Sequence, residues 1–81
     1  MQRQPHRHMA QITGRNLRAA RDERDLTQRT VAEAIGVTPM DVSRWETGRV
    51  EPGGKYRQAL ADFFFDGNVA ALYREPEDIV A

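Results

Sequence analysis

Apolar residues recur along this chain at spacings of three and four. Leu17 and Ala20 come first, then Val31, Ala32 and Ile35, then Val42 and Trp45. Tyr56, Leu60, Phe63 and Phe64 follow, and Val69, Leu72 and Tyr73 close the series. This spacing puts one apolar stripe on a helix, and no stretch alternates as a strand would. Between the stripes stand residues that start and stop helices. Ile12-Thr13 with Leu17, Leu26-Thr27 with Val31, and Val37-Thr38 with Val42 share one arrangement. Each has a threonine at the N-cap, an apolar residue before it and another four positions after it, which is a hydrophobic staple. Gly36 suits a left-handed helix end, Pro39 suits a first turn, and Gly48 can end a helix.

The pattern predicts a first helix over about 14–24, a second bounded by Thr27 and Gly36, and a third bounded by Thr38 and Gly48. A loop follows over 49–54, then a fourth helix over about 55–65 and a short fifth one from Asn68 to Tyr73. The fold class expected is all-α, a compact bundle of about five helices. Residues 1–11 read as a flexible basic arm, 12–74 as the folded domain and 75–81 as an acidic C-terminal tail. The short glycine-containing link between helices two and three, Gly36-Val37-Thr38, is that of a helix-turn-helix.

Helix three has two unlike sides. Val42 and Trp45, three apart, point to a core, while Pro39, Met40, Ser43, Arg44 and Thr47 lie on the other side. A helix with an apolar stripe behind and small, polar and basic groups in front suits the DNA major groove. Arg44 is the best base reader, because its fork can pair with both acceptors of guanine. Ser43 can donate or accept, and Thr38 and Met40 can pack against a thymine methyl. Gln28 can orient Arg44 or take a phosphate.

Composition narrows the function. The 81 residues make one small domain, 40% hydrophobic and 30% charged. No cysteine is present, which excludes disulfides, thiolate metal sites and thiol nucleophiles. His6 and His8 stand in the arm with no carboxylate near, so neither metal nor cofactor is expected. No apolar run spans a bilayer and no signal peptide is visible, so a cytoplasmic, nucleoid-associated protein of a prokaryote or phage-infected cell is expected. No nucleophile, glycine-rich phosphate loop or paired-carboxylate motif stands out, and no enzyme is expected. Formal net charge is zero, but its distribution is not even. Residues 1–57 hold eleven basic and seven acidic side chains, and 58–81 hold one and five. A basic front and an acidic back suit a protein oriented toward a polyanion. Arg3 and Arg7 in the arm can reach phosphates or a minor groove.

Residues 17–48, LRAARDERDLTQRTVAEAIGVTPMDVSRWETG, resemble the Cro and phage-repressor type of helix-turn-helix domain, the XRE or lambda-repressor-like family. The marks are Arg21, Thr27-Gln28, Ala32, Gly36, Val42 and the Trp45-Glu46-x-Gly48 closure. The likeness implies a transcriptional regulator, a repressor of Cro type, binding double-stranded DNA as a homodimer on a two-fold operator. Thr38, Pro39, Met40, Ser43 and Arg44 match base-facing positions. Gln28, Arg29, Thr47, Arg49 and Lys55 are the backbone-contacting candidates, with Gln28 also bracing helix three. The likeness also implies a structural ion pair between Arg21 and Glu46. Relatives often carry glutamine or serine where Pro39 and Met40 stand, so direct readout narrows here and DNA shape supplies more. The alternative is an antitoxin or protein-interaction module with a toxin as partner, suggested by the neutral charge, Pro39 and the acidic tail.

Phe63, Phe64 and Phe65 sweep roughly 200° of a helix and cannot all face one core. Phe64 is expected inside and Phe63 shared. Phe65, with Val69 and Tyr73, is expected on an outer face as a dimer contact.

Overall fold

The computed structural model describes residues 5–75, with side chains from Met9 onward. Four α-helices and a terminal 3-10 helix follow in order: α1 Pro5–Glu23, α2 Gln28–Ile35, α3 Pro39–Glu46, α4 Gly54–Phe64, and the 3-10 helix Val69–Tyr73. The fold class is all-α as expected, with the fifth element wound more tightly than an α-helix. Among the described residues no helix is long and apolar enough to cross a membrane.

The local signals explain α2 and α3. Thr27 Oγ1 accepts from the Thr30 N–H, and Gly36 ends α2 in the left-handed region at φ 88°. There its N–H and that of Val37 both bond the Ala32 carbonyl. A side chain at that φ would be strained, which is why glycine stands there. Thr38 and Asp41 form a reciprocal capping box at the start of α3, with Pro39 in its first turn. Gly48, at φ 78°, turns the chain away after Thr47.

The stripes meet in one core of Leu17, Ala20, Val31, Ala32, Val42, Trp45, Leu60, Phe64 and Leu72. Helix α1 packs along α3 and the 3-10 helix, α2 along α3, and α4 along the 3-10 helix. Fully burying one of these Leu or Val side chains contributes roughly 1.5–3 kcal/mol.

Three expectations are corrected. First, α1 does not begin after a Thr13 cap. It runs from Pro5, so the arm expected over 1–11 is helical from Pro5 onward, and residues 1–4 lie outside the described ones. Ala10 and Ile12 are buried, and so is Thr13, fully, in mid-helix. The staple pattern was present at Thr13, but burial of Ala10 and Ile12 favours continuing the helix backward. Second, Phe65, Val69 and Tyr73 are half-buried against the core of their own chain, not set on an outer face. The aromatic left outside is Phe63, 40% exposed and edge-on to the buried Phe64. Third, α4 ends at Phe64, so Phe65 leaves the helical sweep. The tail beyond Glu75 lies outside the described residues, as do the side chains of Arg3, His6, Arg7 and His8.

Two polar side chains fasten the far end of the bundle. Asn16 donates to the carbonyls of Leu72 and Arg74 at 2.8 and 2.9 Å, tying the 3-10 helix to α1. Arg24 donates to the carbonyls of Ala20 and Phe64 and lies over the Phe64 ring. It thereby ends α1 and α4 with one guanidinium.

Candidate nucleic-acid interface

Helix α3 is held from behind by packing and by charge. Val42 and Trp45 enter the core, and the Trp45 ring stacks at 5.7 Å on Tyr56 of α4. Glu46 turns inward, its side chain 4% exposed, and meets Arg21 of α1 in a two-pronged ion pair. Arg21 Nε donates to Glu46 Oε2 at 2.6 Å, and Arg21 Nη2 donates to Glu46 Oε1 at 3.0 Å. The remaining prong, Nη1, donates to the Leu26 carbonyl at 2.8 Å. The bond to Glu46 raises the Arg21 pKa above its ordinary value, against the opposing effect of burial. Gln28 completes the cluster by donating from Nε2 to Glu46 Oε1 at 3.0 Å. One carboxylate therefore joins α1, α2 and α3.

Gly14 sets how closely α1 approaches. A Cβ there would collide with the backbone carbonyl of Trp45 and lie 2.6 Å from that of Glu46. The contact is backbone against backbone and cannot give way by a rotamer change. Gly14 was invisible as a site residue in the sequence, because glycine inside a helix ordinarily signals only weakness.

The outward side of α3 is open. Pro39, Met40, Arg44, Thr38 and Thr47 are exposed and Ser43 is half-buried. Not all of their polar groups are available. Thr38 Oγ1 donates to Asp41 Oδ2 at 3.0 Å and accepts from the Asp41 N–H at 3.2 Å. Asp41 Oδ2 also accepts from the Thr38 N–H, and these bonds hold its carboxyl below its ordinary pKa of 3.8. Thr47 Oγ1 donates back to the Ser43 carbonyl at 3.0 Å. No hydrogen bond or ion pair among the described residues engages the Arg44 guanidinium.

Around α3 the exposed cations are Arg29 at the start of α2, Arg49 after α3, and Lys55 in the first turn of α4. Lys55 Nζ stands 5.3 Å from the Tyr56 ring, which fixes its stem beside α3's own partner. The start of α4 has Gly53 as its cap and no side-chain bond to its first N–H groups. Gln28 braces the end of α3 through Glu46 and is not bonded to Arg44, which corrects the expectation that it orients that arginine. Val50, half-exposed beside Arg49, was not singled out by the sequence pattern. Among the described residues no cluster of His, Cys, Asp and Glu could hold a metal ion.

No curated protein and no solved structure shows a significant match to the chain. The family described as Helix-turn-helix matches residues 17–65, from the Leu17 stripe of α1 to the end of α4. That span covers more than half of the chain and includes the capped helix pair, the Arg21–Glu46 tie and the open side of α3. The protein belongs to this family, the XRE, lambda-repressor-like group of DNA-binding helix-turn-helix regulators.

Proposed function

We propose that the protein is a sequence-specific repressor of Cro type that lays α3 in the major groove of a two-fold operator. One observation carries this reading. The inner side of α3 is locked by Val42, Trp45 and Glu46, while the outer side presents Arg44, whose guanidinium makes no hydrogen bond or ion pair among the described residues and feels only the nearby charge of Asp41. A short helix held rigidly with a free arginine fork in front is what bidentate guanine readout requires. Arg29, Arg49 and Lys55 flank it and would take phosphates, fixing register without reading sequence. Gln28 has a second amide hydrogen left after its bond to Glu46 and can also reach a phosphate.

Binding as a homodimer follows from the two-fold operator. We place the contact at Phe63, the exposed ring of α4. The rings run on from one another, Phe63 to Phe64 at 4.9 Å and Phe64 to Phe65 at 6.0 Å. An isologous contact of this kind uses the same patch on both copies.

The test is an unbiased selection of DNA sites by the purified protein. The expected result is an enriched palindrome with half-sites roughly 34 Å apart. A random pool after selection, with one protein partner co-purifying in equal amount, would replace this reading with the antitoxin one.

A further inference from the structure

The outer side of α3 carries less readable chemistry than its residue list suggests. Thr38 and Asp41 bond one another across the first turn. Thr47 bonds its own helix, and the Pro39 side chain can neither donate nor accept. Ser43 is half-buried. What remains fully presented is Met40 and Arg44. Met40, 58% exposed, is the most exposed large apolar side chain among the described residues. The two are four residues apart, so they stand one above the other on the same side of the helix.

Building on the proposed DNA-binding role, we propose that this pair reads one thymine and one guanine, with Met40 seated on the thymine 5-methyl group and Arg44 forked onto the guanine. The thymine methyl is the apolar feature among the base-edge groups of the major groove. An unbranched, polarizable thioether side chain adapts its three torsions to reach it. The separation of Met40 and Arg44 is about 6 Å along the helix axis, on the order of two base steps. Asp41 lies between them in sequence and is an acceptor only. Its Oδ2 is turned back onto the Thr38 N–H and hydroxyl, so the first turn offers no free side-chain donor to guanine and leaves that base to Arg44.

The experiment uses the full chain and the site recovered by selection. Each thymine of the half-site is replaced in turn by deoxyuridine, which removes the methyl and nothing else, and binding is measured for the native protein and for Met40→Ala. Met40 is exposed, so the variant folds as the native chain does, and circular dichroism checks this. The expected result is a single thymine per half-site whose methyl strengthens native binding roughly three- to fivefold, the worth of one buried methyl group. Met40→Ala should bind the thymine and deoxyuridine sites equally. Met40→Leu, which keeps an apolar tip, should restore part of the difference. If every deoxyuridine site binds the native protein as well as its parent, or if Met40→Ala retains the difference, the proposal is overturned while the DNA-binding role stands. If no site can be selected at all, the DNA-binding role fails first and takes the proposal with it.

Discussion

At the scale of single residues, α3 divides its side chains between holding and reading, and the two kinds should fail differently. Glu46 holds. Its removal leaves Arg21, in a site only 15% exposed, with the Leu26 carbonyl and the exposed Asp22 carboxylate 3.6 Å away, and Gln28 loses its acceptor too. Glu46→Ala should cost roughly 3–5 kcal/mol of stability, as breaking a buried pair does, and a denaturant titration measures it. A loss under about 1 kcal/mol would mean that the pair is no better than a surface one. Arg44 reads. Arg44→Ala should leave the denaturation midpoint unchanged, weaken binding to the selected site by about 1–3 kcal/mol and relax preference at one base pair. Competition binding against a panel of single-base variants checks it. The exposed place of Arg44 and the buried pair were legible in the sequence for different reasons. Arg44 stood opposite Val42 and Trp45 on a helical wheel, which is a matter of periodicity. Arg21 and Glu46 lie 25 residues apart, and only the family resemblance joined them. The cap pattern announced that the Thr38 hydroxyl is occupied, but the occupation of the Thr47 hydroxyl was not legible, because a back-bonded hydroxyl and a free one are the same letter.

At the scale of elements, the caps made α2 and α3 readable and misled at α1. Thr27 and Thr38 cap as the pattern requires, with Leu26 and Val37 packed behind them. Thr13 has the same neighbours in sequence, yet it lies mid-helix with its Oγ1 buried and without a hydrogen-bond partner among the described residues. A local motif cannot report that residues upstream have found a surface to pack on. The same packing explains Gly14, whose missing Cβ lets α1 touch the last turn of α3. Gly14→Ala would overpack backbone against backbone and should cost about 1–3 kcal/mol despite alanine's better helix propensity. Thermal unfolding checks this, and a gain in stability would show that α1 can shift away without loss. The capping box gives α3 a pH dependence of known sign. Asp41 titrates below 3.8 in the folded chain because Thr38 bonds its charged form. Its contribution is therefore complete above that ordinary value and is lost as pH falls through the lower, folded one. Asp41→Asn removes the titration. The stability difference between native protein and variant should be constant at neutral pH and should shrink on acidification below about pH 4. Denaturant titrations at several pH values measure that difference, and one that does not change with acid would show that the box contributes nothing through charge.

For the whole molecule, a net charge of zero is compatible with binding a polyanion because its arginines are not equivalent. Arg21, Arg24 and Arg57 are committed to acceptors within the chain, and Arg18 pairs with Asp22 on the surface. Arg29 in α2, Arg49 after α3 and Lys55 at the start of α4 are exposed, with the acidic Asp62 near the end of α4 and Asp66 just after it. The field that a polyanion would meet is set by exposed cations such as these and not by the total. Each phosphate these cations neutralise releases counterions, and log affinity should fall by about 0.9 per log unit of salt for each. With about three such contacts per copy, a single bound chain should show a slope near −3. A dimer gripping both half-sites should show one near −5, at the low end of what two copies allow. The slope therefore tests the backbone contacts and the assembly together. Replacing Arg29, Arg49 and Lys55 by alanine should flatten it to near zero, while the base preferences of the selected site persist. Phe63→Glu, which places a charge in the proposed contact between copies, should reduce the slope to the single-chain value without altering those preferences. A steep slope that survives both changes would mean that other groups grip the backbone, and the flank of Arg29, Arg49 and Lys55 would lose its role.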